Sequence, residues 1–163
     1  MDKEQLVKLL EEKHMEAYRW SRQCCRFNDE LAKDVLQTVY LKILEDKATF
    51  NEKSSFRTWL FAVIRNTSLD SLKKRVTHDG LENAMFISAN ETAEETDYKK
   101  FIRQLSEKQA HVLLLAFYHD MTLDSISTVM EISVGSVRTH YERGKKRLKE
   151  LIEKDKLQDY ERR

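Results

Sequence analysis

The scarcity of turn-forming residues constrains this chain more than any other feature of its sequence. Its 163 residues include three glycines and no proline. Tight turns in sheet-rich folds draw on glycine and proline, because glycine tolerates positive φ angles and proline presets the backbone. A chain poor in both, with 35% charged residues, is typical of helices joined by short polar loops. We therefore predict an all-α fold, and 40% apolar residues suffice for small cores rather than disorder.

Helical periodicity divides the chain into two domains. In the first domain, residues 1–76, Asn28 and Asp29 are good N-caps for a helix that runs to about Leu44. Ser54 or Ser55 can cap a further helix that runs to Arg75. Residues 77–97 lack sustained periodicity. The sequence therefore predicts two small helical domains, 1–76 and 98–163, joined by a flexible linker.

The net charge of +1 conceals two segments of opposite sign. Residues 77–97 contain acidic side chains but no Lys or Arg, so the predicted linker is acidic. Residues 138–149 contain one acid, Glu142, and many bases. Such asymmetry indicates a nucleic-acid partner for the basic segment. Its basic residues are Arg138, Arg143, Lys145, Lys146, Arg147 and Lys149.

The second domain contains the pattern of a helix-turn-helix. Ser106 and Gln109 form a capping box for a helix to about Tyr118. Residues 121–144 then read MTLDSISTVMEISVGSVRTHYERG, in which Thr122 caps a short helix and Ser133 caps the next. Many such turns carry glycine where this chain has Glu131, and a left-handed Glu costs about 1 kcal/mol.

The second helix of this pattern suits the DNA major groove, where side chains of its first turns meet base edges and later basic residues meet phosphates. Val134 and Val137 face inward. The alternative is a solvated helical hairpin whose charges only keep it soluble. The residues that can face outward are Ser136, Arg138, Thr139, Glu142 and Arg143.

The cysteines and the distribution of apolar residues indicate in which cellular compartment the protein works. Cys24 and Cys25 are the only cysteines and are neighbours, and neighbouring cysteines rarely bridge each other. We expect them in or near the first core, with redox sensing as the alternative. No signal peptide and no apolar run of about 20 residues is visible. These features predict a reduced, cytoplasmic protein without a membrane span.

The histidines do not indicate an enzyme or a metal site. None lies near Cys or acidic residues at a recognisable ligand spacing. We therefore expect no catalytic residues, no metal and no cofactor. The five histidines are His14, His78, His111, His119 and His140.

Two separated stretches together resemble the extracytoplasmic-function (ECF) sigma factors of bacterial RNA polymerase, which belong to the sigma-70 family. The first is residues 32–75, ending in SFRTWLFAVIRNTSLDSLKKR. The second is residues 105–151, LSEKQAHVLLLAFYHDMTLDSISTVMEISVGSVRTHYERGKKRLKEL. The resemblance implies a non-enzymatic factor that binds core RNA polymerase and promoter DNA, directs transcription initiation, and is held inactive by an anti-sigma protein.

The resemblance also implies roles for individual residues of the first domain. Asp34, Gln37, Tyr40 and Leu41 match the helix that binds the polymerase, although Tyr40 and Leu41 could instead cover the neighbouring helix. The segment from residue 50 matches the part that melts the minus-ten element and holds a flipped base. The alternatives there are a core position for Phe50 and a hydrogen bond within the domain for Asn66. The implied minus-ten residues are Phe50, Asn51, Lys53, Ser54, Asn66, Lys73, Lys74 and Arg75.

In the second domain the resemblance implies that the last helix reads the minus-thirty-five element. The acidic linker would lie in the polymerase near the RNA exit path, or would be a solvated tether. The competing interpretation is a conventional helix-turn-helix regulator that recruits polymerase without melting DNA and needs only residues 98–163. The implied minus-thirty-five residues are Ser136, Arg138, Thr139, Glu142, Arg143 and Lys146.

Overall fold

The computed structural model describes residues 1–79 and 93–162, and within these ranges the chain forms helices and no strand. The all-α prediction is confirmed. The chain divides into two compact units, one built on α1–α3 and one on α4, α5 and α7. The helices are α1 (Lys3–Cys24), α2 (Asp29–Leu44), α3 (Phe56–Asp79), α4 (Ala93–Ile102), α5 (Glu107–Leu113), α6 (Leu123–Met130) and α7 (Val134–Arg162).

Side-chain caps fix where six of these helices begin. Asp2 caps α1 by accepting a hydrogen bond from the Gln5 amide at 2.8 Å. Each of the other five caps is an Asn, Ser or Thr whose side-chain oxygen accepts a hydrogen bond from the backbone amide three residues further on, at 3.0–3.2 Å. Such a cap stabilises a helix by about 1 kcal/mol. Ser106, Thr122 and Ser133 were predicted as caps, Asn28 and Ser55 were each one of two neighbouring candidates, and Asp2 was not predicted.

Two helices are longer than predicted. Helix α3 continues to Asp79 and α4 begins at Ala93, so both ends of the predicted linker 77–97 are helical, while residues 80–92 lie outside the described residues. Helix α7 continues past Leu151, where the second stretch of the resemblance ends, to Arg162. An ion pair from Lys100 of α4 to Asp155 ties the start of this extension to the second unit.

An aromatic pair forms the centre of the first unit. The buried rings of Trp20 and Phe61 are stacked with centroids 5.7 Å apart. The Trp20 indole N–H donates to the Phe61 carbonyl at 3.0 Å. The one polar group of this buried ring therefore has a hydrogen-bond acceptor. This packing joins α1 to α3.

Both cysteines lie in this first core, as predicted. Burial raises the pKa of Cys25 to about 12, although a hydrogen bond with Ser21 and the charge of Arg75 lower it. The thiolate is the reactive form of cysteine. Cys25 is therefore an inert thiol at neutral pH, which argues against a redox-sensing role.

A glycine lies where α5 and α7 approach each other in the second unit. Gly144 is buried, and a Cβ built on it would lie 3.1 Å from Leu113 Cδ1 and 3.3 Å from Gln109 Cβ. Glycine inside a helix costs about 1 kcal/mol relative to alanine. The close approach of the two helices accounts for glycine at this position.

We expect Gly144→Val to lower the free energy of opening of the second unit by about 1–3 kcal/mol, because the added methyl groups overpack the contact between α5 and α7. Amide hydrogen exchange along α5 and α7 measures the free energy of opening of the second unit. This local measurement is needed because a chain of two units does not have to unfold in a single step. Gly135→Val is the matched control on the same helix, since the nearest atom to its added Cβ is Ser133 Oγ at 3.9 Å. Equal losses in the two variants would contradict the packing role of Gly144.

Candidate nucleic-acid interface

A three-residue turn joins α6 to α7. Glu131 has φ 57°, the left-handed conformation expected from the sequence. The Ser127 hydroxyl donates to the Ile132 carbonyl, and the Ile132 amide donates to the Ser127 carbonyl at 3.3 Å. These bonds hold the end of α6 against the start of α7, so the predicted helix-turn-helix is present.

Helix α7 has an inner face and an outer face. Val137, Gly144 and Leu151, spaced seven residues apart, are buried on the inner face. On the outer face the predicted DNA-reading side chains follow helical spacing, and all are exposed apart from the half-buried Ser136. The basic surface predicted from the sequence is therefore available to a duplex. The exposed residues are Arg138, Thr139, Glu142, Arg143 and Lys146.

The charges of this face are not neutralised by the unit itself. Within residues 1–79 and 93–162, Arg138, Arg143 and Lys146 form no ion pair, whereas Arg147 pairs with Glu150 at 3.7 Å. Unpaired guanidinium groups keep their forked donors available for guanine or phosphate. The outer face of α7 is thus prepared for an anionic partner.

The first turn of α7 is open and already ordered. Ser133 donates its hydroxyl to the Ser136 hydroxyl at 3.0 Å, and Thr139 donates to the Gly135 carbonyl at 3.1 Å. Gly135 is exposed, with no side chain to block approach. A phosphate can therefore come close to this helix N-terminus, where the backbone amides favour anions.

In the first unit, Phe50 belongs to a cluster of three rings. Its centroid lies 5.6 Å from that of Phe56 and 5.3 Å from that of Trp59. Phe50 and Trp59 are only half-buried. The ring of Phe50 is therefore anchored by its neighbours and still offers part of its surface for stacking.

The loop after Phe50 presents polar groups beside this cluster. Asn51 and Lys53 are exposed, and Ser54 is half-buried. Asn51 accepts a hydrogen bond from the Lys53 amide at 3.2 Å, and Glu52 adopts a left-handed φ of 61°. The loop is thus a tight turn that carries amide, hydroxyl and ammonium groups.

One face of α3 connects the ring cluster to the basic end of the helix. Trp59, Asn66 and Lys73 are seven residues apart, so each lies two turns, or about 10 Å, from the next on the same face. Lys73 and Lys74 are exposed and Asn66 is half-buried. The structure therefore aligns the ring cluster, an amide and cations along one helix.

Arg75 departs from the prediction of an available basic side chain. It is half-buried, and its positive charge acts on the buried Cys25 thiol and lowers the pKa of that group, against the larger effect of burial. Arg75 therefore belongs in part to the core side of α3.

The predicted polymerase-binding residues lie on one face of α2. Asp34, Gln37 and Leu41 are exposed, and Tyr40 is half-buried. Gln37, Tyr40 and Leu41 border a groove of about 570 Å³ between α2 and α1, and Asp34 is not among its lining residues. Burial raises the pKa of Tyr40 to about 12, so its hydroxyl is neutral.

Sequence reasoning missed the α1 side of this groove, which consists of His14, Met15 and Tyr18. Met15 is 58% exposed. The one available signal was an apolar residue on the otherwise polar face of an amphipathic helix, which alone does not distinguish a binding surface from a chance exposure.

A second apolar groove, of about 340 Å³, lies on the second unit and was also missed. It is bordered by Phe117, which is 60% exposed and stacks on Tyr141 of α7 at 5.7 Å. After Leu113, residues 114–118 form a π-helical turn in which the His119 amide donates to the Leu114 carbonyl at 3.1 Å. This wider turn brings Phe117 and Tyr118 to the surface.

Within residues 1–79 and 93–162 no helix is long and apolar enough to cross a membrane. No group of three or more His, Cys, Asp or Glu side chains in the same ranges is arranged to hold a metal ion.

Two family models match the chain, in the order of its two units. The model for sigma-70 region 2 matches residues 11–77, and the model for sigma-70 region 4 matches residues 96–148. Together they cover well over half of the chain. A conventional helix-turn-helix regulator would leave the region 2 match unexplained, so that interpretation is not favoured.

Two curated relatives that match the chain are sigma factors, and each match extends over about three quarters of both sequences. The chain is 26% identical over 137 residues to RNA polymerase sigma factor SigZ of Bacillus subtilis, covering 78% of this chain and 77% of that protein. It is 21% identical over 142 residues to the ECF RNA polymerase sigma factor SigW of the same organism, covering 74% of this chain and 75% of that protein.

Solved structures share the fold. The sigma factor RpoE of Bartonella quintana, in complex with the anti-sigma factor NepR, matches with a TM-score of 0.77 and 18% identity, over 91% of this chain and 97% of that one. CnrH, in complex with the cytosolic domain of CnrY, matches with a TM-score of 0.74 and 19% identity, over 94% of this chain and 91% of that one. With both sigma-70 regions matched in order, the chain belongs to the sigma-70 family and is an ECF RNA polymerase sigma factor.

Proposed function

We propose that the two units divide the work of transcription initiation between them. The outer face of α7 reads the minus-thirty-five element through Ser136, Arg138, Thr139, Glu142, Arg143 and Lys146. The observation that carries this assignment is the row of exposed cations without ion pairs on the second helix of a helix-turn-helix. Free forked donors at the start of a groove-binding helix are what base reading requires.

In the first unit, we assign capture of the minus-ten strand to the face of α3 and the loop before it. A half-buried aromatic cluster gives a flipped base a surface to stack on, and Asn51, Ser54 and Asn66 supply polar edges. Phe50 belongs to this surface. The exposed cations Lys53, Lys73 and Lys74 support the backbone of the single strand, with Arg75 contributing less because it is half-buried.

We assign polymerase binding to the face of α2 that contains Asp34, Gln37, Tyr40 and Leu41. An exposed leucine beside an apolar groove is the kind of feature that marks a protein-protein contact. Core RNA polymerase is the occupant that the family assignment requires. The chain acts by binding and not as an enzyme, and its place of action is the cytoplasm, where it meets polymerase and promoter DNA.

We also propose an anti-sigma partner. The neighbouring structures RpoE and CnrH are held by NepR and by the cytosolic domain of CnrY. The two apolar grooves of this chain, one on each unit, are surfaces that such a partner could cover to keep polymerase away.

We expect Arg138→Ala and Arg143→Ala each to weaken promoter binding by the holoenzyme about tenfold or more, because a bidentate arginine-guanine contact contributes about 1–3 kcal/mol of discrimination. Titration of holoenzyme against a selected promoter and against single-base variants of its minus-thirty-five element measures both affinity and specificity.

Lys146→Ala tests the phosphate role on the same helix: we expect weaker binding to all sequences and a smaller dependence on salt. Arg162→Ala, at the exposed end of α7, is the control and should bind as the wild type does. If Arg138→Ala and Arg143→Ala leave specificity unchanged, α7 does not read the element.

We expect Asn66→Ala to reduce holoenzyme affinity for a single-stranded minus-ten oligonucleotide about tenfold, since a site built to hydrogen-bond a base loses that contact. The measurement is fluorescence anisotropy of the labelled strand. Binding to a duplex with only the minus-thirty-five element should stay unchanged in the same variant. Equal weakening on both substrates would point instead to a structural role for Asn66.

We expect Leu41→Ala to weaken binding to core polymerase about tenfold, because a half-exposed leucine that becomes buried on docking contributes about 1–2 kcal/mol. Leu157→Ala is the matched control, since Leu157 is similarly exposed, at 62% against 51% for Leu41, but lies on the far end of α7. Affinity is measured with fluorescently labelled sigma factor and purified core enzyme. Wild-type affinity in Leu41→Ala would exclude this face of α2 as the docking surface.

A further inference from the structure

The groove of the first unit contains one polar contact that crosses from α1 to α2. His14 Nδ1 lies 2.8 Å from the Tyr40 hydroxyl, and the two rings are tilted by 47° with centroids 5.9 Å apart. Both residues line the groove. The contact therefore belongs to the wall of the surface assigned to polymerase, and His14 has no role in the functions described so far.

This hydrogen bond determines where the Tyr40 ring lies. Tyr40 is half-buried, and its hydroxyl can donate to or accept from the imidazole nitrogen, depending on the tautomer of His14. Rotation about χ1 would otherwise let the ring move over the groove, which Leu36 and Leu44 also line. The hydrogen bond to His14 on α1 keeps the Tyr40 ring at the wall of the groove, so the ring does not cover the groove.

A preset aromatic side chain binds better than a mobile one. Immobilising a side chain at an interface costs about 0.5–1.5 kcal/mol when the free protein has not already ordered it. The hydrogen bond from α1 orders Tyr40 before any partner arrives, so the cost does not reduce the affinity. The same bond satisfies a hydroxyl that docking would bury further.

We propose that His14 is a positioning residue for polymerase docking, which acts by holding the Tyr40 ring on the wall of the groove between α1 and α2. This inference rests on the proposed docking role of Tyr40 and Leu41, and it adds α1 to the polymerase-binding surface. The occupant is core RNA polymerase, which presents an apolar surface to the groove, while Lys33 and Gln37 are the polar residues that α2 contributes to its lining.

The test is the affinity of full-length variants for core polymerase. We expect His14→Ala to weaken binding about three- to tenfold, the effect of losing one preorganising hydrogen bond. His14→Asn should restore most of the affinity, because its side-chain amide attaches to Cγ and places a polar atom near the position of Nδ1. His14→Gln should not, because its amide lies one carbon further out.

A double-mutant cycle identifies the partner of His14. Tyr40→Phe keeps the ring and removes the hydroxyl, so adding His14→Ala to Tyr40→Phe should cause no further loss. Thermal unfolding of each variant checks that the first unit is intact. Wild-type affinity in His14→Ala, or the same loss with and without the Tyr40 hydroxyl, would overturn the proposal.

The docking surface on α2 and the positioning role of His14 are tested by different variants. If Leu41→Ala binds core polymerase as the wild type does, the docking surface itself is wrong, and the role of His14 falls with it. If Leu41→Ala weakens binding while His14→Ala binds as the wild type does, polymerase docks on α2 without help from His14.

Discussion

The close approach of α5 and α7 at Gly144 determines what the second unit can do. With no Cβ at this position, α7 lies directly against Leu113 and Gln109, and the buried stripe of Val137, Gly144 and Leu151 fixes the rotation of the helix about its axis. Because side chains repeat every 3.6 residues, the same rotation directs the arginines outward. The exposed basic surface is thus a consequence of the core contact on the other side of the helix.

Local chemistry made much of this structure predictable from sequence. A capping side chain bonds an amide three residues away, so Asn28, Ser55 and Ser133 show where helices begin without knowledge of the rest of the fold. The left-handed Glu131 followed from the geometry of the turn, and its conformation, φ 57°, is the one expected. Periodicity likewise separated the inner and outer faces of α7.

Features that depend on contacts between distant residues could not be predicted. His14 reaches Tyr40 across 26 positions of sequence, and nothing in the α1 pattern distinguishes His14 from any other polar residue. Arg75 was expected among the available cations, but the turn of α3 on which it lies places its charge near Cys25. The end of α7 at Arg162 was not predicted, because most side chains beyond Leu151 are exposed and form no buried apolar stripe by which periodicity recognises helices.

The size of the recognition face explains why a second unit is needed. Two bidentate arginine contacts, at about 1–3 kcal/mol each, give roughly 2–6 kcal/mol of discrimination, whereas specific DNA sites are separated from nonspecific DNA by about 4–10 kcal/mol. Helix α7 alone therefore reaches only the lower part of that range. In the proposed function, base capture along α3 would add a contribution that exists only on a melted strand, and docking on polymerase would raise the effective concentration of both units at the promoter. Under this proposal selectivity arises from joining two modest readers, and neither needs to bind duplex DNA tightly by itself.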